Sequence, residues 1–393
     1  MPDPQKTTKN NKRRLIILYF LGFLLAVSTA LPAYIQSNFL GQFMSIKTIS
    51  LFFAAGNLIT VIAILAFPSW IKKVTNYFLT QIILILYAAS LLGLVLATNA
   101  STAFISFMIF SVAVNLIWIN MDILVESFSV NASTGRTRTR YFTFINAGWI
   151  ISPLLTTYLI GKGEYVLSFL IAAFLVVPFF LIFTYQSKNL KDKIKYQKEP
   201  LTLTIKKMWL NSNMRGIFFV ALLLQLFFSS AVVYIPFYLF RNLGMGWDIL
   251  GPMFSIMLIP FVLVEIPAGI IADKYLGEKE MLYVGFVILT ISLFLFYYIQ
   301  TPNILAWGII LFLSRVGAAL VEAMRETYFF KIVDAEEVGY INVFRLAGPL
   351  AYLLGPGLAI LTLTFFPLNY LFLFLSIIML SSLGFIASIK DTK

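Results

Sequence analysis

The sequence predicts an all-α, polytopic membrane protein with 12 transmembrane helices in two pseudo-symmetric six-helix bundles. Of its 393 residues, 60% are hydrophobic and only 12% are charged, whereas a soluble domain carries about 25% charged residues. Apolar stretches long enough to cross a bilayer recur along nearly the whole chain. Lysine and arginine are concentrated in alternate connections between these stretches, as expected of a multi-pass membrane protein.

A helix needs about 20 mostly apolar residues to cross a hydrocarbon core of about 30 Å. Twelve such stretches follow one another, six before and six after one long polar segment. They cover residues 15–36, 47–68, 77–98, 102–126, 141–161, 164–185, 215–240, 248–272, 281–300, 303–326, 340–363 and 367–389. Glycine and proline within them are compatible with membrane helices, because neighbouring helices can bond the freed backbone groups.

The basic residues predict the orientation of these spans. Lys12, Arg13 and Arg14 precede the first apolar stretch, which is longer than the roughly 7–15-residue core of a signal peptide, so a span is favoured over a leader. With the N-terminus in the cytoplasm, 25 of the 29 lysines and arginines lie on the cytoplasmic side, in agreement with the positive-inside rule. We therefore expect an integral protein of the plasma (inner) membrane, with N- and C-termini cytoplasmic.

The polar segment 186–213 divides the chain. The predicted organisation is a cytoplasmic tail (1–14), an N-terminal bundle (15–185), a basic cytoplasmic linker (186–213), a C-terminal bundle (214–389) and a short cytoplasmic tail (390–393). In so apolar a chain, the net charge of +12 and the basic linker indicate topology and anionic lipid headgroups, not a nucleic-acid partner.

Two residue types are absent, cysteine and histidine. Their absence excludes thiolate and imidazole nucleophiles, bases and metal ligands. The sequence also lacks a phosphate-binding Gly-Lys-Ser/Thr loop. We therefore expect no cofactor, no metal and no enzymatic activity, and proton chemistry must fall to carboxylates, lysines or tyrosines.

The two halves show traces of an internal duplication. The residues Pro-Ala-Tyr at 32–34, which end the first span, are echoed by Pro-Phe-Tyr at 236–238, which end the seventh. An offset of 200 also aligns Gly148 with Gly348 and places Phe144 on Phe344. These matches fall at equivalent points of the predicted topology.

The connection between spans eight and nine carries the most specific motif, Gly-Ile-Ile-Ala-Asp-Lys-Tyr-Leu-Gly-Glu-Lys at 269–279. With the six-plus-six arrangement, it resembles the loop signature of the major facilitator superfamily of secondary transporters. The resemblance implies that Asp273 and Lys274 form a cytoplasmic latch, with the alternative that they only mark a turn. The corresponding segment 68–76 has kept its lysines and lost the aspartate, so a symmetric latch is not expected.

Ionisable groups inside membrane helices are costly, and each is a functional candidate. Arg315 lies about twelve residues into span ten and aligns with Asn115 of span four. In the superfamily, spans one, four, seven and ten line the central cavity, so we expect Arg315 to bind an anionic group of the substrate or a carboxylate exchanged for it. A structural ion pair is the alternative. Glu265, between two prolines of span eight, is the predicted partner or proton carrier, with a gate role as its alternative.

Two acidic pairs lie at the cytoplasmic ends of spans four and ten. Residues four apart share one helix face, where like charges repel unless cations face them. The starts of spans five and eleven supply such cations, which predicts a gate that closes as these groups meet. The predicted gate residues are Asp122, Glu126, Glu322, Glu326, Arg140 and Arg345, with Asp273 and Lys274.

Spans one and seven also present polar and aromatic residues. Tyr34, Gln225 and Tyr238 are expected to line the cavity or an outer gate. Aromatic residues near span ends also form interfacial belts, which is the alternative for both tyrosines.

Together these observations favour a secondary active transporter of a small organic solute, working by alternating access as a monomer. Efflux in exchange for protons is the predicted mode. The alternatives are an uptake symporter or a uniporter of the same fold, and a membrane-embedded enzyme or lipid-handling protein.

Overall fold

The computed structural model describes residues 4–128, 134–160, 165–186, 201–264, 267–268, 271–333 and 338–390. Within these ranges, the regular secondary structure is helical and contains no β-strand. In the described part of the chain, eleven helical stretches are long and apolar enough to cross a membrane, and one further apolar segment, Trp247–Leu263, is shorter. The all-α, multi-pass fold predicted from composition and span length is confirmed.

The helices of the first half follow the predicted spans, with long α1 and α3 extending beyond the apolar stretches. They are α1 (Pro4–Ala33), α2 (Gln36–Leu40), α3 (Ile46–Val74), α4 (Asn76–Val95), α5 (Ala100–Phe128), α6 (Thr134–Ile160) and α7 (Val166–Tyr185). Their outward side chains are often large and apolar, for example Ile85 at 57% and Leu181 at 62% exposure. Such surfaces fit a lipid environment.

The second half begins with a short helix from the linker, and its later spans are more often interrupted. Its helices are α8 (Leu201–Leu210), α9 (Ser212–Phe237), α10 (Trp247–Ile256), α11 (Pro260–Leu263), α12 (Glu278–Tyr298), α13 (Ile304–Ile332), α14 (Val338–Arg345), α15 (Ala347–Phe365), α16 (Tyr370–Leu380) and α17 (Ser382–Ala387). Two π-helical turns, Tyr238–Asn242 and Ala272–Leu276, extend α9 and precede α12.

Span eight differs from the single helix expected over 248–272. The described part of this region consists of α10, the short α11 and the π-helical turn at Ala272–Leu276. Pro260 stands at the first position of α11, where its missing N–H costs least. Proline cannot donate the hydrogen bond that would continue α10 into α11, so the span is divided at this point.

The chain divides into two compact units. The first comprises Met1–Phe43 and Ile59–Tyr196, and the second comprises Met44–Leu58 and Gln197–Lys393. The last boundary between the two units along the chain, between Tyr196 and Gln197, falls inside the predicted linker 186–213. The first part of α3 belongs to the second unit, where Tyr234 of α9 donates a hydrogen bond to the Ser50 hydroxyl at 2.9 Å.

Helix packing within each unit repeats the same pattern. In the first unit α1 packs on α6, and α4 packs on both α5 and α7. In the second unit α9 packs on α15, and α12 packs on both α13 and α16. When the spans of each half are numbered from one to six, the first span packs on the fifth, and the third packs on the fourth and the sixth, in both units. The weak sequence duplication therefore corresponds to a structural repeat.

Candidate functional site

Arg315 lies in the interior of the second unit, at the twelfth residue of α13. Its side chain is 1% exposed, and its guanidinium carbon lies 5.1 Å from the centre of the Phe227 ring in α9. A desolvated cation over an aromatic face gains about 2 kcal/mol. The contact joins spans ten and seven and holds a permanent positive charge within a membrane span.

Asn115 and Gln225 have different surroundings from Arg315. Asn115 is half-buried, and its amide donates a hydrogen bond to the Ser111 carbonyl in its own helix at 2.9 Å. Gln225 is half-buried in α9 and faces Gly348 of α15, where an added Cβ would lie 3.9 Å from its Oε1 atom. Gln225 therefore lies at the contact between spans seven and eleven.

The two tyrosines expected along the cavity or outer gate pack against other aromatic rings. In the first unit, the Tyr34 ring lies edge-on to Trp149, with the ring centres 6.2 Å apart. In the second unit, Tyr238 lies 6.0 Å from Trp307 and 5.7 Å from Phe372. Both tyrosines are buried.

A second charged assembly lies where α13 approaches the junction of α14 and α15. The guanidinium of Arg345 donates two parallel hydrogen bonds to the Glu326 carboxylate, at 2.7 and 3.0 Å. This fork geometry is the strongest form of an arginine–carboxylate pair. The sequence predicted that Arg345 would face the acidic pair of span ten, and the structure brings these groups together.

Arg325 completes this assembly and was not singled out from the sequence. It is 3% exposed, and its Nη2 atom lies 3.4 Å from Glu322 and 3.5 Å from Glu326. The guanidinium carbons of Arg325 and Arg345 both lie within 6 Å of the Phe344 ring centre, at 5.9 and 5.7 Å. We call Glu322, Arg325, Glu326, Arg345 and Phe344 the charged cluster.

The corresponding region of the first unit is only partly described. Asp122 is half-buried in α5, and the Glu126 side chain lies outside the described residues. Arg140 is exposed and forms no ion pair within the described part of the chain. Arg14 instead places its guanidinium carbon 5.0 Å from the ring centre of Phe128.

The loop between spans eight and nine is only partly described. Glu265 lies outside the described residues, as do the side chains of Asp273 and Lys274 in the π-helical turn. Glu278, the first residue of α12, is 2% exposed and forms an ion pair with Lys331 of α13. Its neighbour Lys279 donates hydrogen bonds to the Ala387 and Ile389 carbonyls at the end of α17. This loop therefore ties span nine to spans ten and twelve.

One polar residue of span four was also missed from the sequence. The Asn120 side chain is fully buried, and neither its amide nitrogen nor its oxygen has a hydrogen-bond partner among the described residues. A buried amide in this condition costs about 1–3 kcal/mol. Nothing in the sequence around Asn120 indicated that its side chain would be buried, because burial depends on the packing of neighbouring helices.

Comparison with known proteins agrees with this architecture. The Major Facilitator Superfamily model matches residues 15–341 and 246–391. A structure of a POT family transporter in complex with 5-aminolevulinic acid is 13% identical, with a TM-score of 0.78 and 95% of each chain covered. An auto-inhibited POT family peptide transporter is 12% identical, with a TM-score of 0.78, covering 97% of this chain and 98% of the other.

The nucleoside transporter NupG is 16% identical, with a TM-score of 0.72, covering 97% of this chain and all of the other. No curated protein matches the chain in sequence. At these identities the structural similarity shows the fold alone. Taken with the family match along nearly the whole length, it confirms the resemblance first seen in the loop after span eight: the chain belongs to the Major Facilitator Superfamily.

Proposed function

We propose that the protein is a secondary active transporter that exports a small organic solute carrying an anionic group, in exchange for protons, by alternating access. The observation that carries this proposal is Arg315. A cation that is 1% exposed in the middle of span ten is expensive to retain in a membrane. It is explained if the guanidinium binds a carboxylate or phosphate of the transported solute.

Phe227 supports this assignment. Its ring packs against the guanidinium from the side of span seven, and because an aromatic ring carries no net charge, this contact does not itself cancel the charge that would attract an anion. In the superfamily, spans seven and ten both contribute to the transport pathway.

The charged cluster is assigned to the gate at the linker end of the second unit. The bond between Glu326 and Arg345 links span ten to the start of span eleven. Arg345 and Glu326 keep 22% and 14% side-chain exposure, so opening of the gate would hydrate both charges as their bond breaks. Glu265 remains the predicted proton carrier, because the chain has no histidine.

A ligand screen by thermal unfolding tests the role of Arg315. Selective binding to the folded state raises the melting temperature by mass action. Small organic acids that stabilise the wild type should lose this effect in Arg315→Ala, and Arg315→Lys should retain part of it. Loss of a charge-assisted bond of about 1.5–3 kcal/mol corresponds to a roughly 10- to 150-fold weaker affinity. Arg13→Ala, at an exposed arginine, is the matched control and should respond as the wild type does.

A ligand whose stabilising effect is the same in Arg315→Ala and in the wild type would remove Arg315 from the binding site. Flux of the identified ligand into proteoliposomes then tests transport itself. An imposed pH gradient should drive flux against the solute gradient. A solute flux that does not change with the imposed pH gradient would favour a uniporter. Ligand binding without any flux would contradict the transporter assignment.

A further inference from the structure

The short helix α14, which begins span eleven, has contacts with two other helices of the second unit. It packs on the linker helix α8. Its last two residues contact α13: the Phe344 ring stacks on Phe329 with the ring centres 4.0 Å apart, and Arg345 forms its two hydrogen bonds with Glu326. We call Glu326 and Arg345 the gate pair. Whether the gate pair can form depends on where α14 lies.

The contact between α8 and α14 is closest at Thr204 and Gly339. Thr204 is 1% exposed, and a Cβ added at Gly339 would lie 3.0 Å from its hydroxyl oxygen and 3.2 Å from its methyl carbon. The two helices approach this closely because residue 339 has no side chain. Met208, one turn after Thr204, and Val343, one turn after Gly339, are also buried. They continue the two facing surfaces over a further turn.

The linker helix α8 is in turn fixed to span seven. The Asn211 side chain, directly after α8, accepts hydrogen bonds from the backbone N–H groups of Asn213 and Met214 and caps α9. Arg215 of α9 donates a hydrogen bond back to the Trp209 carbonyl of α8 at 3.1 Å. The position of α8 is therefore set by the start of span seven.

The contacts of α14 with α8 and with α13 lie on opposite sides of the helix. Phe344 and Arg345 follow Gly339 by five and six residues, which at about 3.6 residues per turn turns them away from the side that faces α8. With α8 on one side and α13 on the other, α14 cannot leave α13 without changing its contact with α8.

Span eleven is interrupted directly after α14. Leu346 separates α14 from α15, so α14 is not a rigid continuation of the longer helix. Two residues later, the nearest atom to a Cβ added at Gly348 would be 3.9 Å away, which leaves room for this turn to move. The position of α14 is therefore set chiefly by α8 and α13.

We propose that the linker helix α8 is a brace for the gate: by packing on Gly339, Thr204 positions α14 so that Arg345 meets Glu326. Separation of the gate pair then requires the contact of Thr204 with Gly339 to break or slide. Thr204 is a positioning residue, because it acts through Arg345. The brace stands on the contacts within the second unit, and its effect on transport rests on the proposed function.

An engineered disulfide tests the brace on the full-length protein. The distance from the Thr204 Cβ atom to a Cβ added at Gly339 is 3.6 Å, within the range of about 3.5–4.5 Å that disulfides require. The chain has no cysteine of its own, so Thr204→Cys/Gly339→Cys can form one bond only. Oxidation should slow amide hydrogen exchange by about tenfold or more in α14 and, through the gate pair, in residues 322–332. Thr204→Cys alone, treated with the same oxidant, is the matched control and should show neither effect.

The variant Arg345→Gln, combined with the same cysteine pair, shows whether the gate pair carries the effect. Oxidation should then still slow exchange in α14 but no longer in residues 322–332. Protection confined to α14 while Arg345 is present would overturn the proposal. So would protection of residues 322–332 that persists in Arg345→Gln, or failure of the two cysteines to cross-link.

A change of side-chain size provides a second test without a disulfide. In Gly339→Ala the new methyl group meets Thr204, so α14 must shift and exchange in residues 322–332 should become faster. Gly339→Ala/Thr204→Ala removes the two atoms that stand in the way and should restore the exchange of the wild type. An unchanged rate in Gly339→Ala, or a change that Thr204→Ala does not reverse, would contradict the brace.

Transport separates this inference from the proposed function. For a solute that the ligand screen identifies, oxidation of Thr204→Cys/Gly339→Cys should abolish flux into proteoliposomes, and a reductant should restore it. If oxidation changes hydrogen exchange as expected and leaves flux unaltered, the brace stands and the gate role of the charged cluster is wrong. If flux falls on oxidation while exchange in residues 322–332 stays the same, the brace is wrong and the transporter assignment stands.

Discussion

The two six-helix halves share a packing pattern but contain different kinds of buried polar group. In the first unit, neutral hydroxyls join the spans: the Ser28 hydroxyl lies 3.0 Å from that of Tyr87 and donates to the Ala172 carbonyl at 2.8 Å. In the described part of the second unit, ion pairs between arginines and carboxylates accompany such neutral bonds as that of Tyr234 with Ser50. At the sequence offset of 200, Arg315, Arg325 and Arg345 align with Asn115, Val125 and Ile145.

Under the proposed function, this difference assigns different roles to the two halves. Neutral hydrogen bonds between membrane helices are modest in energy, about 0.6 kcal/mol on average, and do not attract charged ligands. Ion pairs respond to a charged solute, to a proton and to hydration when a gate opens. Under the proposed function, the described neutral contacts of the first half suit a fixed scaffold, and the arginines and carboxylates of the second half are the groups that would respond to substrate and to opening.

The largest expected effect comes from reversing one charge in the charged cluster. In Glu326→Arg, a third guanidinium would stand beside Arg325 and Arg345, which now lie 3.5 and 2.7 Å from the Glu326 carboxylate. Breaking such a pair costs about 3 kcal/mol or more. We expect a clearly lower melting temperature in detergent and, in proteoliposomes, altered flux.

The exchanged pair Glu326→Arg/Arg345→Glu restores one salt bridge between α13 and α14. It should recover a substantial part of the lost stability and flux. Unchanged melting temperature and flux in Glu326→Arg would show that the cluster has no gate role. A decrease that the exchanged pair does not reverse would mean that position 326 matters for another reason than its bond to residue 345.

A smaller effect is expected from substitution of Gly148 and Gly348. These glycines are equivalent in sequence but differ in how closely a neighbouring helix packs against them. A Cβ at Gly148 would lie 2.8 Å from the Ala26 Cβ atom and 3.1 Å from the Val27 backbone nitrogen. Gly148→Ala must therefore separate α6 from α1, at a cost of about 1–3 kcal/mol. At Gly348 the nearest atom would be 3.9 Å away, so Gly348→Ala should be neutral or stabilise by up to about 1 kcal/mol.

Melting temperatures of the two alanine variants, measured side by side in detergent, provide this comparison. Each variant serves as the control for the other, since the chemical change and the place in the repeat are the same. Equal losses of stability would mean that the two halves pack alike at this position. The conclusion that the helices lie closer together at Gly148 than at Gly348 would then be wrong.

The fold was predictable because span length and charge asymmetry follow from bilayer thickness and topology. The bond between Arg345 and Glu326 was predictable from i, i+4 spacing and the opposite charge on the next span. Arg325 was not, because it lies at the predicted cytoplasmic end of span ten, where a basic residue is expected from topology alone. Its burial at 3% exposure and its contacts with Glu322 and Glu326 depend on how the neighbouring helices pack.

Aromatic and uncharged polar residues were the least predictable. The burial of Tyr238 between Trp307 and Phe372 depends on how spans seven, ten and twelve pack, which hydropathy does not encode. The same holds for Asn120 and for the pair of Glu278 with Lys331. In the latter case Glu278 lies within the motif at 269–279, but its partner lies 53 residues away along the chain.

The smallest expected effects test the neutral network of the first half. Because the Ser28 hydroxyl proton points to the Ala172 carbonyl, the Tyr87 hydroxyl must donate to the Ser28 oxygen. Tyr87→Phe removes this donor and leaves Ser28 bonded, so it should cost about 0.6 kcal/mol. Ser28→Ala leaves the fully buried Tyr87 hydroxyl with a lost acceptor, which costs about 1 kcal/mol or more.

Melting temperatures in detergent should therefore fall in the order wild type, Tyr87→Phe, Ser28→Ala, with both losses below that of Glu326→Arg. The double variant Tyr87→Phe/Ser28→Ala should be no less stable than Ser28→Ala alone, because it removes the hydroxyl that would otherwise be left buried without its acceptor. A loss from Tyr87→Phe as large as that from Glu326→Arg would contradict the division between a neutral scaffold and a charged, responsive half. Flux should be affected little by either single substitution, since neither changes a charge.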